Sequence, residues 1–197
     1  MTSKGKKSKS LATGQEKRRL RERRNRIRID YKSIRNIDHE CVGCSEVAEN
    51  CCARYDVCVT TAELKKIILV LPEAAKYCRH LREKNGYANV FDEAENGLHS
   101  IETHENGLCV FAFRNKGLIR CSLHAVETSR GLPLGSVKPK MCVLWPLTFS
   151  EDGRELTLHD GALSCRGSSL RKKPSRHISP ALIETIGIMT GKTVAPS

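Results

Sequence analysis

Large rings are scarce in this chain. One Trp, four Tyr and four Phe make up 5% of 197 residues. A chain with so few aromatics must gain stability elsewhere, and metal ligation is one source of it. Long hydrophobic runs are also missing. The longest aliphatic stretch, Ile67 to Leu71, falls far short of the roughly 20 residues a membrane-spanning helix needs. The opening residues, MTSKGKKSKSLATGQEKRRLRERR, contain neither the apolar segment nor the small-residue cleavage site of a secretory leader. There is no Gly-rich phosphate loop, no HExxH and no CxxxCxxC of the radical type. No Ser-His-Asp arrangement can be read from residue order. The expectation is a cytoplasmic chain, in which thiols stay reduced.

Basic charge is present in excess, but only in one place. Residues 1–36 carry 14 Lys/Arg against 3 Asp/Glu, whereas the remaining 161 residues carry 20 against 19. The whole-chain net charge of +12 is therefore a property of the start of the chain. Residues 1–30 read as a low-complexity arm, disordered in its Lys/Ser/Gly-rich first half. The run from Gln15 to Arg28 suits a helix induced by a partner, because its apolar face is too narrow to hold it on a core. Such an arm binds polyanions by counterion release. It lacks interleaved aromatics for base stacking, which points to non-specific nucleic-acid contact or to plain solubilisation.

Local patterns place the elements. Residues 38–58 carry few helix signals and read as a metal-organised loop. Thr60 and Glu63 form a capping box, and Leu64, Ile67, Ile68 and Leu71 follow at helical spacing. Pro72 permits a second helix start, predicting a helix over 73–84 that stops at Asn85-Gly86. LHSIET, LCVFAF and LIRCSL (98–123) read as strands separated by the turns Glu105-Asn106-Gly107 and Asn115-Lys116-Gly117. A short helix is expected from His124 to Arg130. A hairpin is expected from 143–149 and 154–159. Gly167 to His177 reads as a polar linker, and Ser179-Pro180 opens a last helix with Leu182, Ile183, Ile186 and Met189 on its apolar face.

Ten cysteines punctuate this frame. The densest group, CVGCSEVAENCC, places Cys41, Cys44, Cys51 and Cys52 within twelve residues. Cys41 and Cys44 form a CxxC, a spacing that lets two thiolates converge on one metal from a tight turn. Cys51 and Cys52 are adjacent. In extended backbone their side chains point to opposite sides, which favours two metals or a polynuclear site over one tetrahedral ion. Cys109 and Cys121 fall on the two strands flanking Asn115-Lys116-Gly117. Cys142 sits in KPKMCVLWP, and Cys165 would complete eight thiolates. Each of these later cysteines, taken alone, also reads as a small buried hydrophobe. Cys58 and Cys78 fit no ligand pattern, and Cys78 reads as a packed thiol. His39, His124 and His159 stand near cysteines in sequence. His124, three residues after Cys121, offers itself as a ligand or as a donor behind one, but each of the three reads more simply as a histidine without a metal role.

The order CxxC–CC, a Thr-Glu helix start, Cys109-Val-Phe, GLIRCSLH (117–124) and KPKMCVLWP (138–146) resembles the YkgJ-type cysteine-cluster family, described as zinc- or iron-chelating. The resemblance covers roughly residues 38–165. It implies that Cys41, Cys44, Cys51, Cys52, Cys109, Cys121 and Cys142 ligate. His124 departs from it, since Tyr often stands there, and Lys138 departs where Arg is frequent. Some larger proteins with a similar domain are lysine N-methylases of flagellin. This chain lacks the extra length of those proteins.

The expected fold is α+β: a small metal-organised domain (37–166) with a short antiparallel sheet and flanking helices, preceded by a basic arm (1–36) and followed by a linker and helix (167–197). The expected cofactor is an iron–sulfur cluster, 4Fe–4S in first place, or Zn2+. The expected role is redox, metal handling or structure. The alternatives are a nucleic-acid-associated zinc protein using its arm, and a cluster-dependent enzyme of electron or methyl transfer.

Overall fold

The computed structural model describes residues 27–40, 43–45, 51–93, 95–165, 167–171 and 177–193. Cys41 and most of the basic arm lie outside them. Among the described residues the chain is an α+β protein of short helices and small, mainly antiparallel sheets. No described helix is long and apolar enough to cross a membrane.

The longest element is α3 (Thr61–Ala74), which follows α1 (Tyr31–Ile34) and α2 (Cys51–Arg54). Its start is the expected capping box. The Thr60 hydroxyl accepts the Glu63 amide at 3.3 Å, and Glu63 Oε2 accepts the Thr60 amide at 3.0 Å. Ile67, Val70, Leu71 and Ala74 form its buried stripe. Ile68, placed on that face by spacing alone, is 49% exposed instead. The second helix predicted over 73–84 does not form. Pro72 removes a helical hydrogen bond from the last turn of α3, the helix ends two residues later, and only a 3-10 turn, Arg79–Arg82, follows.

Strands β3 (Cys58–Thr60), β5 (Leu98–Ile101) and β4 (Phe91–Glu93) form an antiparallel sheet in that order. Beside it stands the hairpin β6 (Ala112–Asn115) and β7 (Leu118–Cys121), closed by Lys116 and Gly117 at φ of 50° and 81°. Two residues with positive φ are what a tight hairpin turn demands. Helix α4 (Ser122–Ser129) leaves β7 directly and stops before Gly131, as expected. These elements close on the larger apolar cluster, which includes Ile67, Leu71, Val90, Ile101, Phe111, Leu123 and Val126.

A second cluster joins distant parts of the chain. β1 (Arg28–Ile29) pairs in parallel with β9 (Glu155–Leu158), which pairs antiparallel with β8 (Leu147–Phe149). β2 (Ile37–His39) pairs with β10 (Ser168–Leu170). Helix α6 (Pro180–Thr190) buries Leu182 and Ile186 against Ile34, Ile37, Leu147 and Leu156. The composition boundaries at 36 and 166 thus cut through this cluster. Residues 27–36 are basic in composition yet supply a strand, a helical turn and the buried Ile34. The segment read as a polar linker supplies β10, because backbone pairing needs no apolar side chains.

Helix α5 (Lys140–Leu144), unforeseen between its flanking prolines, bridges the two clusters. Cys142 packs on the first and Leu144 on the second.

Candidate metal centre

The thiols are carried by separate segments, each fixed by its own backbone geometry. Cys44 is pinned to β7 by a two-way bridge: Ile119 donates to the Cys44 carbonyl at 2.6 Å, and Cys44 donates to that of Ile119 at 3.4 Å. Gly43 makes this approach feasible. Its φ is +90°, and a Cβ there would stand 3.0 Å from the Ile119 carbonyl oxygen. Cys51 and Cys52 begin the single turn of α2. They are helical rather than extended, so the opposite-face geometry expected of them does not apply. The Cys109 amide donates to the Cys52 carbonyl at 3.0 Å, tying two thiol-bearing segments together.

Cys121 ends β7 and opens α4. It pairs across the hairpin with Ala112, while Cys109 precedes β6 and bridges Thr103. Cys109 and Cys121 are therefore not hairpin partners, yet both face the same space. Cys165 follows the 3-10 turn Asp160–Ser164. Just beyond it, Gly167 crosses β2 so closely that a Cβ would lie 2.2 Å from the Glu40 carbonyl oxygen.

Two carboxylates set the segment carrying Cys142. Glu127 Oε1 accepts the amides of Val137 and Lys138 at 2.7 and 2.8 Å. Glu63 Oε1 accepts the Lys140 amide at 3.0 Å, in addition to its work in the capping box. Residues 137–140 are thereby held from both sides.

Seven thiols meet the same cavity of about 1170 Å3: Cys44, Cys51, Cys52, Cys109, Cys121, Cys142 and Cys165. These are all the expected ligands except Cys41. Cys58, on β3, and Cys78, 1% exposed in the larger cluster, do not line it. The nine described cysteines are all thiols, none in a disulfide.

Five of the seven feel one another electrostatically. The Cys52 side chain hydrogen-bonds Cys51 and, against burial and with help from the Lys138 charge, draws the Cys51 thiol down to about 7. That bond, then burial, then the charges of Cys51, Cys121 and Cys109 push Cys52 up. Burial, followed by the neighbouring Cys121, raises Cys109 to about 12 and raises Cys142 as well. Burial raises Cys121 despite Lys138 and the amides of His124 and Leu123. The physical content is simple. One thiolate is tolerated in this buried space, and further ones repel it. A cation among them would reverse the sign of that repulsion.

Lining the same cavity is an aromatic corner that sequence reading missed. Tyr55, Trp145 and His159 lie with ring centroids 5.0 to 5.4 Å apart, and all three line the cavity. The roles of Glu127 and Lys138 were missed as well. Lys138 lines the cavity, and its charge reaches Cys51, Cys121 and Cys142.

Thiolates in this number are the donor set of zinc and iron–sulfur sites, so the chemistry of the residues fits such a group. Among the described residues, no three His, Cys, Asp or Glu side chains are close enough to hold one ion. The thiols form a wall around a space. Compared with family models, with curated proteins and with solved structures, the chain finds no match.

Proposed function

We propose that this chain is a metal-chelating cysteine-cluster protein, akin to the YkgJ type. It binds an iron–sulfur cluster, 4Fe–4S in first place, or zinc through Cys41, Cys44, Cys51, Cys52, Cys109, Cys121, Cys142 and Cys165. One observation carries the reading. Seven cysteines spread over more than 120 residues of sequence come to one cavity, while the two that fit no ligand pattern, Cys58 and Cys78, do not line it.

Within this reading the chain's own residues have distinct roles. The eight cysteines hold the metal. Lys138 offsets part of the negative charge that the thiolates accumulate. Glu127 and Glu63 fix the segment that presents Lys138 and Cys142. The bound group would supply either a rigid cross-link, as zinc does, or a one-electron couple, as an iron–sulfur cluster does. The cavity is wide and its donors come from several segments, which suits a polynuclear group better than a single ion.

The test is metal analysis of one anaerobically purified sample. A brown protein with iron and acid-labile sulfide in comparable amounts supports the cluster. A colourless protein with stoichiometric zinc shifts the choice to zinc. A folded chain that takes up neither from iron and sulfide or from zinc salts overturns chelation altogether.

A further inference from the structure

Two histidines line the thiol cavity, and their hydrogen bonds give them opposite tautomers. His159 Nδ1 accepts the Gly161 amide at 2.9 Å. A neutral ring must then carry its proton on Nε2, so His159 can only donate from that nitrogen. His124 is the reverse. Its Nδ1 lies 3.3 Å from Glu127 Oε2. Glu127 is 1% exposed, and its other oxygen is already taken by the Val137 and Lys138 amides. Burial works against its charge, but the hydrogen bonds from His124, Val137 and Lys138 outweigh that and hold the carboxyl below the usual carboxylate range. An ionised carboxylate only accepts, so a neutral imidazole there carries its proton on Nδ1 and leaves the Nε2 lone pair for a Lewis acid. A carboxylate behind the remote nitrogen is the usual support of a metal-bound histidine.

Position agrees with this. His124 lies three residues beyond Cys121, in the first turn of α4, and its side chain is 51% exposed at the cavity. It therefore shares the cavity with the thiols and keeps an accessible side chain there.

We propose that His124 Nε2 is a nitrogen ligand to the metal group held by the thiol wall, with Glu127 as the residue that fixes its tautomer. The inference rests on the chelation reading above. It makes the donor set mixed, sulfur with one imidazole, and singles out one metal position beside α4. Replacing a thiolate by a neutral imidazole raises the potential of an iron–sulfur centre.

The experiment uses the full chain, loaded anaerobically with iron and sulfide or, separately, with zinc. Histidine is supplied as the 14N or 15N form. Pulsed electron paramagnetic resonance reads nitrogen coupling on the reduced cluster, and X-ray absorption reads the zinc shell. The expected result is one histidine nitrogen in the parent protein, absent in His124→Ala and kept in His159→Ala. Glu127→Gln should lose it too. Its carbonyl can still accept the two backbone amides, but its amide group would donate to Nδ1 and move the ring proton to Nε2. Loss of such a partner weakens metal binding about ten- to a hundredfold. Metal bound through sulfur alone, or a nitrogen signal that survives His124→Ala, overturns this inference and leaves chelation standing. A chain that binds no metal overturns both.

Discussion

The two halves of this molecule are held by different physics. Around α6, seven buried aliphatics (Ile34, Ile37, Leu147, Leu156, Ile178, Leu182 and Ile186) close on one another. Around the cavity, apolar side chains such as Ile101, Phe111 and Leu123 share the lining with seven thiols and Lys138. Backbone bridges and carboxylate clamps fix the segments that carry those thiols. One half is stabilised by removing hydrocarbon from water. On the chelation reading, the other depends as well on a cation that offsets the charge of its sulfurs. The sharpest way to break the comparison is to take metal away. Cys52→Ser should cost most of the bound metal. It should also lower the melting temperature to nearly that of the chelator-treated parent, because a structural metal contributes on the order of 10 kcal/mol to folding. Unchanged metal content with an unchanged melting temperature would refute it.

The aliphatic half should answer in the opposite manner. Leu182 is fully buried on α6. Leu182→Ala leaves a cavity that the surrounding strands cannot fill, at a cost of about 3 kcal/mol. Denaturant unfolding should show the same loss with and without metal, and metal content should stay at the parent level. A loss of metal in this variant would mean that the two halves are coupled through α5, which touches both clusters.

How much of this was legible beforehand follows the same division. Signals that act within a few residues were readable. The Thr60–Glu63 box, the Asn115-Lys116-Gly117 turn, the short helix before Gly131 and the Pro180 helix start all depend on local backbone chemistry, and all form. The pairing of β1 with β9 was not readable. It joins Arg28–Ile29 to Glu155–Leu156, and nothing near residue 28 announces a partner so far along the chain. The same holds for β2 and β10, whose side chains are mostly polar. At the site, spacing marked Cys44, Cys51 and Cys52, and the family resemblance marked Cys109, Cys121 and Cys142, whereas residue type alone left those later cysteines open to a reading as packed thiols. The clamps were hidden. Glu127 looks like any acidic residue on a short helix, and only the fold shows two amides ending on it.

That clamp gives the next prediction in size. Glu127→Ala leaves the buried Val137 amide and the part-buried Lys138 amide without their acceptor and frees the segment that carries Lys138 and Cys142. The cost should be about 2 kcal/mol, since hydrogen bonds to charged groups are the stronger kind. It should depend on pH. The Glu127 carboxyl sits below its ordinary value of 4.5 in the folded chain. The unfolded chain therefore binds the proton first as pH falls. The stability Glu127 contributes is present in full above the unfolded value and is lost as pH drops through the folded one. Urea unfolding of parent and variant at a series of pH values checks this. The gap between them should narrow on acidification below the ordinary carboxylate range. A gap that stays constant would show that the clamp acts by shape rather than by charge.

The smallest expected effect belongs to a cysteine. Cys58 opens β3, where it pairs with Ser100 and is only partly buried. It does not line the thiol cavity. Strand pairing uses its backbone, so the sulfur adds little to the sheet. Cys58→Ser should change stability by less than about 0.5 kcal/mol, as substitutions away from special features do. It should also leave iron, sulfide or zinc content at the parent value. Set beside Cys52→Ser, it asks whether place or residue type matters: the two variants remove the same atom and should differ in every measurement. If Cys58→Ser sheds metal as Cys52→Ser does, the cavity is not the boundary of the metal centre, and the sorting of thiols that supports chelation loses its force.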